Sequence, residues 1–385
     1  MSLLLPEILV LIAVSCILLL FLNPLVLWTI SLARGRQSLR TISVLPSVSM
    51  IIIVRNGAGQ IAGKVQNTLA LDYPPDRCEI IVFSDGSTDG TEQSISSLAD
   101  HRIHVLSHPR HEGKNPSLNK AVQQSSGEIL CFTDVDATIA PEALLKLVRH
   151  FGDPAVGGVC GDKIVAKDRT GIGEAQVVYA RFARAIKEAE SRLGSISSND
   201  GTLYAIRRAL FQPIPPAVTD DLYVCMSVVR QGFRFLFDRE AKAHIHASSR
   251  TPRHELERRR RIVSTSLRGI VYMRAVLNPF RYGFFSVGLW INKVMRRLLP
   301  VLLIVLFLST LCLSADSSLM KGMFILQLLF YFAAFLHWTV GRYVHLPGVA
   351  GKAGSVAFYF CLGNYGTLLG LADFLRGRKI SKWDP

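Results

Sequence analysis

The sequence predicts an α/β domain built on a mostly parallel sheet and held between apolar segments of membrane-spanning length. Apolar runs that end in acidic residues alternate with amphipathic ones between Val48 and Arg250, and long apolar stretches lie on both sides of them. Such alternation is the pattern of a parallel sheet covered by helices on both faces. With 385 residues, 49% of them hydrophobic, and a mean hydropathy of +0.30, part of the chain belongs in lipid.

Leu3 to Ala33 is broken only by Glu7 and by Asn23-Pro24, and Arg34, Arg36 and Arg40 follow it. It reads as an anchoring helix with a proline kink, residues 1–33. A cleaved leader would carry its charges before the apolar run and a small-residue cleavage site after it, and neither is present. A polar linker, Gly35 to Pro46, leads into residues 46–250. There Val48 to Val54, Glu79 to Ser84, Ile103 to Ser107 and Glu128 to Thr133 read as strands and the segments between as helices. Residues 251–297 mix basic and apolar side chains, as helices at a membrane interface do. In residues 298–375, Leu298 to Ala315 and Met320 to Val340 are spans. Gly354 to Phe374, rich in glycine, reads as re-entrant or interfacial, because a crossing would put Arg376 to Lys382 on the wrong side.

The 44 Lys and Arg against 29 Asp and Glu give a net charge of +15. The excess gathers beside apolar segments, at Arg253 to Arg261, Lys293 to Arg297 and Arg376 to Lys382, so the expected basic-face partner is membrane lipid and not nucleic acid. The seven cysteines form no Cys-x-x-Cys pair and most sit in apolar runs, as reduced residues of a cytosol-facing protein do.

Three acidic clusters stand in fixed order. Ser84-Asp85-Gly86-Ser87-Thr88-Asp89 is a strand-to-helix turn in which Asp89 caps a helix and Glu92 reciprocates, yet Asp85 has no role in such a turn. Asp134-Val135-Asp136 ends a buried strand, where ligands of open α/β sheets bind. Two hard oxygen donors there suit Mg²⁺ or Mn²⁺ and leave coordination positions for a diphosphate. Thr219-Asp220-Asp221 reads as an N-cap with acids in the first helical turn, and a carboxylate held that way also suits a general base.

The order of these clusters resembles membrane-bound family 2 glycosyltransferases of the cellulose and hyaluronan synthase type, and the likeness runs over nearly the whole chain. It implies a cytosolic GT-A-type, Rossmann-like domain at the inner membrane, a nucleotide-sugar donor (a UDP-sugar by family expectation), and inversion by single displacement. By resemblance Asp85 contacts the nucleotide base, Asp134 lies by the sugar or nucleotide, and Asp136 is the direct metal ligand. Asp221 is then the base, with Asp220 on the acceptor or diphosphate side. His111-Glu112-Gly113-Lys114 through Asn119 resembles the family's Gly-Lys-x-x-x-Leu-Asn loop and puts Lys114 near the donor; read alone, Lys114 is a solvated lysine. Gly201 to Arg208 resembles the strand before the acceptor site, with Arg207 and Arg208 as surface charges. Arg258-Arg259-Arg260-Arg261-Ile262 occupies the place of Gln-x-x-Arg-Trp, so Arg258 and Arg261 grip diphosphate while Arg259 and Arg260 meet headgroups.

Ser84 stands where the family motif has the first Asp of Asp-Asp-Gly-Ser and Arg258 where it has Gln, and two further sites depart from the pattern. Ile262 replaces the Trp that stacks on a growing saccharide, and Val54-Arg55-Asn56-Gly57 lacks the usual Glu. The expected acceptor is lipid-linked or saccharide. A processive synthase that extrudes its polymer, alone or with homo-oligomer or polysaccharide-assembly partners, is the alternative. A non-catalytic membrane scaffold or sensor is the reading from another class.

Overall fold

The computed structural model describes residues 4–33, 42, 44–98, 100–166, 171–245, 251–340 and 348–378. The expected linker and the tail beyond residue 378 therefore lie largely outside the described residues. Strand β1 (Val48–Val54) is buried throughout, and its two-residue period splits it between two cores. Ile51 and Ile53 enter one; Val48, Met50, Ile52 and Val54 enter the other. Strands β2 (Cys78–Asp85) and β4 (Ile129–Thr133) divide in the same way, with Ile81, Phe83, Leu130 and Phe132 on the first side. A strand apolar on both faces must be covered on both. Helices α4 (Lys114–Gln123) and α7 (Asp220–Arg230) cover the first face, and α2 (Ala58–Leu69) and α5 (Ala143–Val148) the second.

With β3 (Ile103–His108), β5 (Thr138–Ile139), β6 (Val156–Val165), β7 (Leu203–Arg207) and β8 (Arg234–Ile245), the sheet has eight strands in the order β3-β2-β1-β4-β7-β6-β8-β5. β3, β2, β1 and β4 are parallel, β7 runs against both β4 and β6, and β8 is parallel to β6. The reversed strand matters for function. Leu203 pairs with Thr133, so Gly201-Thr202 arrives beside the carboxyl end of β4, where Asp134 begins. Arg207, read from sequence as a surface charge, instead donates to the Val156 carbonyl (2.8 Å) and the Phe151 carbonyl (2.8 Å), tying β7 to the next segment.

Among the described residues, four helices are long and apolar enough to cross a bilayer: Leu5–Leu32, Phe284–Leu313, Ser318–Thr339 and Ala353–Leu375. Helix α1 (Leu4–Leu32) runs on through Pro24. Its Val10 and Ala13 pack with Leu306 and Leu313, and Leu27 packs on Ile186, Ala189 and Leu193 of α6 (Gly171–Leu193). The second run continues from α10 (Phe284–Leu289) through a π-helical turn (Trp290–Met295) into α11 (Arg296–Leu313). Helical structure thus crosses the boundary expected at residue 297.

Helix α12 (Ser318–Thr339) precedes α13 (Gly348–Leu375), and α13, the segment expected to be re-entrant or interfacial, is one continuous helix of 28 residues. Its glycines have a packing reason. A Cβ at Gly363 would lie 3.1 Å from Arg259, and one at Gly370 would lie 2.6 Å from the Arg260 carbonyl of α8 (Pro252–Tyr272). Arg260 pairs with the buried Asp373 (Nη2 at 2.8 Å), and Arg259 with Glu255 at 2.5 Å, so both guanidiniums expected to face headgroups are used within the protein. The C-terminal half of α13 therefore lies along a helix too basic for hydrocarbon.

Candidate active site

The Asp134-Val135-Asp136 loop is pinned from below. Lys64 of α2, 4% exposed, donates to Thr133 Oγ1 at 2.8 Å and to the Ala137 carbonyl at 2.5 Å. Burial lowers its pKa to about 8 against the upward pull of Asp134, Cys131 and Asp136. Asp136 itself is exposed, and no other described side chain hydrogen-bonds or ion-pairs with it. Partial burial and then the neighbouring Asp134 charge raise its pKa, the mark of a carboxylate short of positive charge. Such a pair of hard oxygen donors fits a divalent cation. Among the described residues no three His, Cys, Asp or Glu side chains form a metal cage, so most of the coordination sphere would come from substrate and water.

Lys114 sits at the centre. Gly113, at φ +104°, lets the chain turn into α4, and Lys114 Nζ then reaches Asp134 at 2.9 Å and Asp220 at 3.0 Å. Burial works against its charge, but those two carboxylates win and raise its pKa. It is thus a counter-ion linking two acidic clusters and not a solvated surface lysine.

Asp220 and Asp221 open α7, as expected, though Thr219 does not cap it with its side chain; its hydroxyl meets Thr265 of α8 at 2.8 Å instead. Burial, then Asp220 and Asp200, push the Asp221 carboxyl up to about 7. A carboxylate that takes a proton near neutral pH is suited to general base catalysis. Gly201 marks the gap between the clusters, since a Cβ there would lie 3.5 Å from Asp134 Oδ2, 3.6 Å from Asp221 Oδ2 and 3.7 Å from Lys114 Nζ.

Asp85 is fully buried. Its oxygens accept from the Glu112 N–H (2.9 Å) and the Gly113 N–H (2.9 Å) and meet His111 Nδ1 at 2.8 Å. Burial opposes its charge, yet these bonds hold the carboxyl below its ordinary range. In this state Asp85 shapes the Lys114 loop, and its oxygens are already committed where the sequence had them open to a base. Asp89 likewise bonds the Ala58 N–H at the head of α2 (3.0 Å) and the Thr91 N–H (3.1 Å), and Gly90 holds the cap position that Asp89 was expected to fill. Arg261 of α8 comes near Asp220, its pKa lowered by burial and by Arg258. Arg258 lies within 4.0 Å of Glu255.

The structure thus gathers Asp134, Lys114, Asp220 and Asp221, brings Arg261 to their edge, and holds Asp85 behind them. Sequence reasoning missed Asp200, whose carboxylate pairs with the buried Lys187 of α6, and Lys64 beneath the Asp134–Asp136 loop. Asn199-Asp200-Gly201 had a turn signal; a lone lysine in an amphipathic helix had none.

An open, mostly parallel sheet with acids at its strand ends and a reversed strand delivering a glycine between them is a GT-A-like fold. The chain resembles a mannosyltransferase from Pyrobaculum calidifontis, solved with GDP-Man and Mn²⁺, with a TM-score of 0.73 at 20% identity over 96% of this chain and 99% of that one. Residues 49–214 match the model for Glycosyl transferase family 2. Two relatives are a poly-beta-1,6-N-acetyl-D-glucosamine synthase of Staphylococcus aureus, 22% identical over 50% of this chain and 48% of the relative, and a beta-monoglucosyldiacylglycerol synthase of Nostoc, 28% identical over 46% and 40%. The chain spans less than half the length of these curated relatives that it matches.

Proposed function

We propose that the chain is an inverting glycosyltransferase that moves a sugar from a nucleoside-diphosphate sugar to a lipid-linked or saccharide hydroxyl at the cytosolic face of the inner membrane. The observation that carries this reading is Asp221, tuned to about 7 and facing Asp134 and Lys114 across the gap at Gly201. The acceptor hydroxyl gives its proton to Asp221 while its oxygen bonds the anomeric carbon, and the bond from that carbon to the diphosphate breaks with the electron pair leaving on phosphate. Lys114 holds Asp134 and Asp220 in place and offsets their charge as the donor arrives. A divalent cation on Asp136, with Asp134 beside it, would neutralise the leaving diphosphate. Arg261 at the edge of Asp220 offers a fixed guanidinium fork to the same group.

Support for a UDP-sugar is the family expectation alone; the solved mannosyltransferase carries a guanosine nucleotide. The polysaccharide synthase among the relatives favours chain elongation as a second reading, and the glycolipid synthase favours a single transfer to lipid. The deciding experiment incubates detergent-purified protein with UDP- and GDP-sugars, Mn²⁺ and lipid extract, beside the Asp221→Asn variant. Release of nucleoside diphosphate matched by glycosylated product, and lost in the variant, supports transfer. A wild-type protein that neither transfers nor hydrolyses any donor would leave the scaffold reading.

A further inference from the structure

We propose that Asn292 and Lys293, carried on the π-helical turn at the head of the Phe284–Leu313 run, are positioning residues that hold the Ser197–Gly201 loop against Asp221. This rests on reading Asp221 as the base, but the observations behind it are separate. An α-helix has no room for the extra residue of a π turn unless something outside the helix rewards it, and such turns cluster at functional sites. Here two consecutive side chains of the turn both reach the same loop. Asn292 Nδ2 donates to Glu190 Oε1 at 2.9 Å and lies 3.3 Å from Ser197 Oγ; Lys293 Nζ donates to Ser198 Oγ at 2.6 Å.

Glu190 completes the tie, accepting from the Ser197 N–H at 2.8 Å and the Ser197 hydroxyl at 2.5 Å. Glu190, Ser197 and Asn292 are 3%, 0% and 7% exposed, so each bond is shielded from water and expensive to break. The tie extends into the anchor, where Asn23 Nδ2 of α1 faces Asn292 Oδ1 at 3.4 Å. At its other end Asn199 Nδ2 donates to the Asp221 carbonyl at 3.3 Å, and the loop finishes at Gly201 between the acids. Gly288 lets the helix close on this network, since a Cβ there would sit 2.6 Å from Glu190 Oε1. A helix long enough to span the membrane thereby fixes the loop that borders the reacting atoms.

The test uses the full chain in nanodiscs with Asn292→Ala, Lys293→Met and the conservative Lys293→Arg. Hydrogen exchange of the Ser197–Gly201 amides should speed up at least fivefold in the first two variants, with β1 and β4 unchanged. For transfer, kcat should fall at least tenfold with donor KM within twofold of wild type, and Lys293→Arg should recover a third or more of the loss. Unaltered exchange at Ser197–Gly201 in both variants overturns the proposal, whether or not transfer is observed. So does a kcat within twofold of wild type, or exchange that rises throughout the domain. Loss of activity in Asp221→Asn with none in the loop variants would sink this inference and leave the proposed reaction standing.

Discussion

At the scale of single residues, Asp221 as the proposed base has two opposite pH signatures. Activity needs it ionised, so kcat/KM should rise with pH and level off above about 7. Stability runs the other way. Its folded pKa lies above the unfolded value of about 3.9, so the favourable contribution of its protonated form is present at acid pH and is lost as pH climbs through about 7. Asp221→Asn should therefore abolish transfer, leave nucleoside-diphosphate affinity nearly unchanged, and raise the unfolding temperature more at pH 8 than at pH 5. Retention of more than about a tenth of wild-type turnover would remove Asp221 from the role, a tenfold loss being only about 1.4 kcal/mol of barrier. Gly201→Ala is a second probe. The added methyl would meet Asp134, Asp221 and Lys114 at ordinary contact distances, so the fold should survive with its melting temperature little changed. The gap is filled, however, and kcat/KM should drop at least tenfold in a donor titration.

At the scale of elements, strands were legible and long-range ties were not. Val48–Val54 was readable to the residue because seven consecutive apolar-rich positions ending at a turn leave one interpretation for a chain this rich in strand-helix alternation. Asp134, Asp220 and Asp221 were also visible, since each stands at the boundary between an apolar run and the next segment. Lys64, Asp200 and Glu190 were hidden because their partners lie on other elements, at Thr133, Lys187 and Ser197 respectively, and periodicity reports only which face of an element is buried. Glycines in the last helix counted against a full crossing for the same reason: the sequence shows weak helix formers, while the structure shows the Arg260 carbonyl and Val263 pressed against Gly370. Gly370→Val should thus overpack the α8 and α13 contact, costing about 1–3 kcal/mol. A melting curve should show the loss.

At the scale of the whole molecule, the sheet is fastened to lipid-length helices before and after it in the chain, and two consequences can be measured. Because Arg260 and Asp373 lock the end of α13 to α8, a cysteine at Arg376 should label from the same side as one at Arg253, and one at Asp316 from the opposite side. Labelling of Arg376→Cys from the Asp316 side would mean that α13 crosses fully. The second consequence concerns product length. A processive enzyme must hold the growing end after each addition, and an aromatic face supplies about 1 kcal/mol of such holding. Ile262, 37% exposed on α8, offers no ring, and the indole of Trp290 has its N–H tied to the Leu277 carbonyl at 3.0 Å in the membrane-facing run. Release should then outrun the next addition, by roughly tenfold for each 1.4 kcal/mol of lost grip. With labelled donor and lipid extract, the wild-type protein should give products of one or a few sugars, while Ile262→Trp should shift the ladder to longer ones. High-molecular-weight polymer from the wild-type protein alone would show that the end is gripped by some other surface, and would favour the elongating relatives over the glycolipid-forming one.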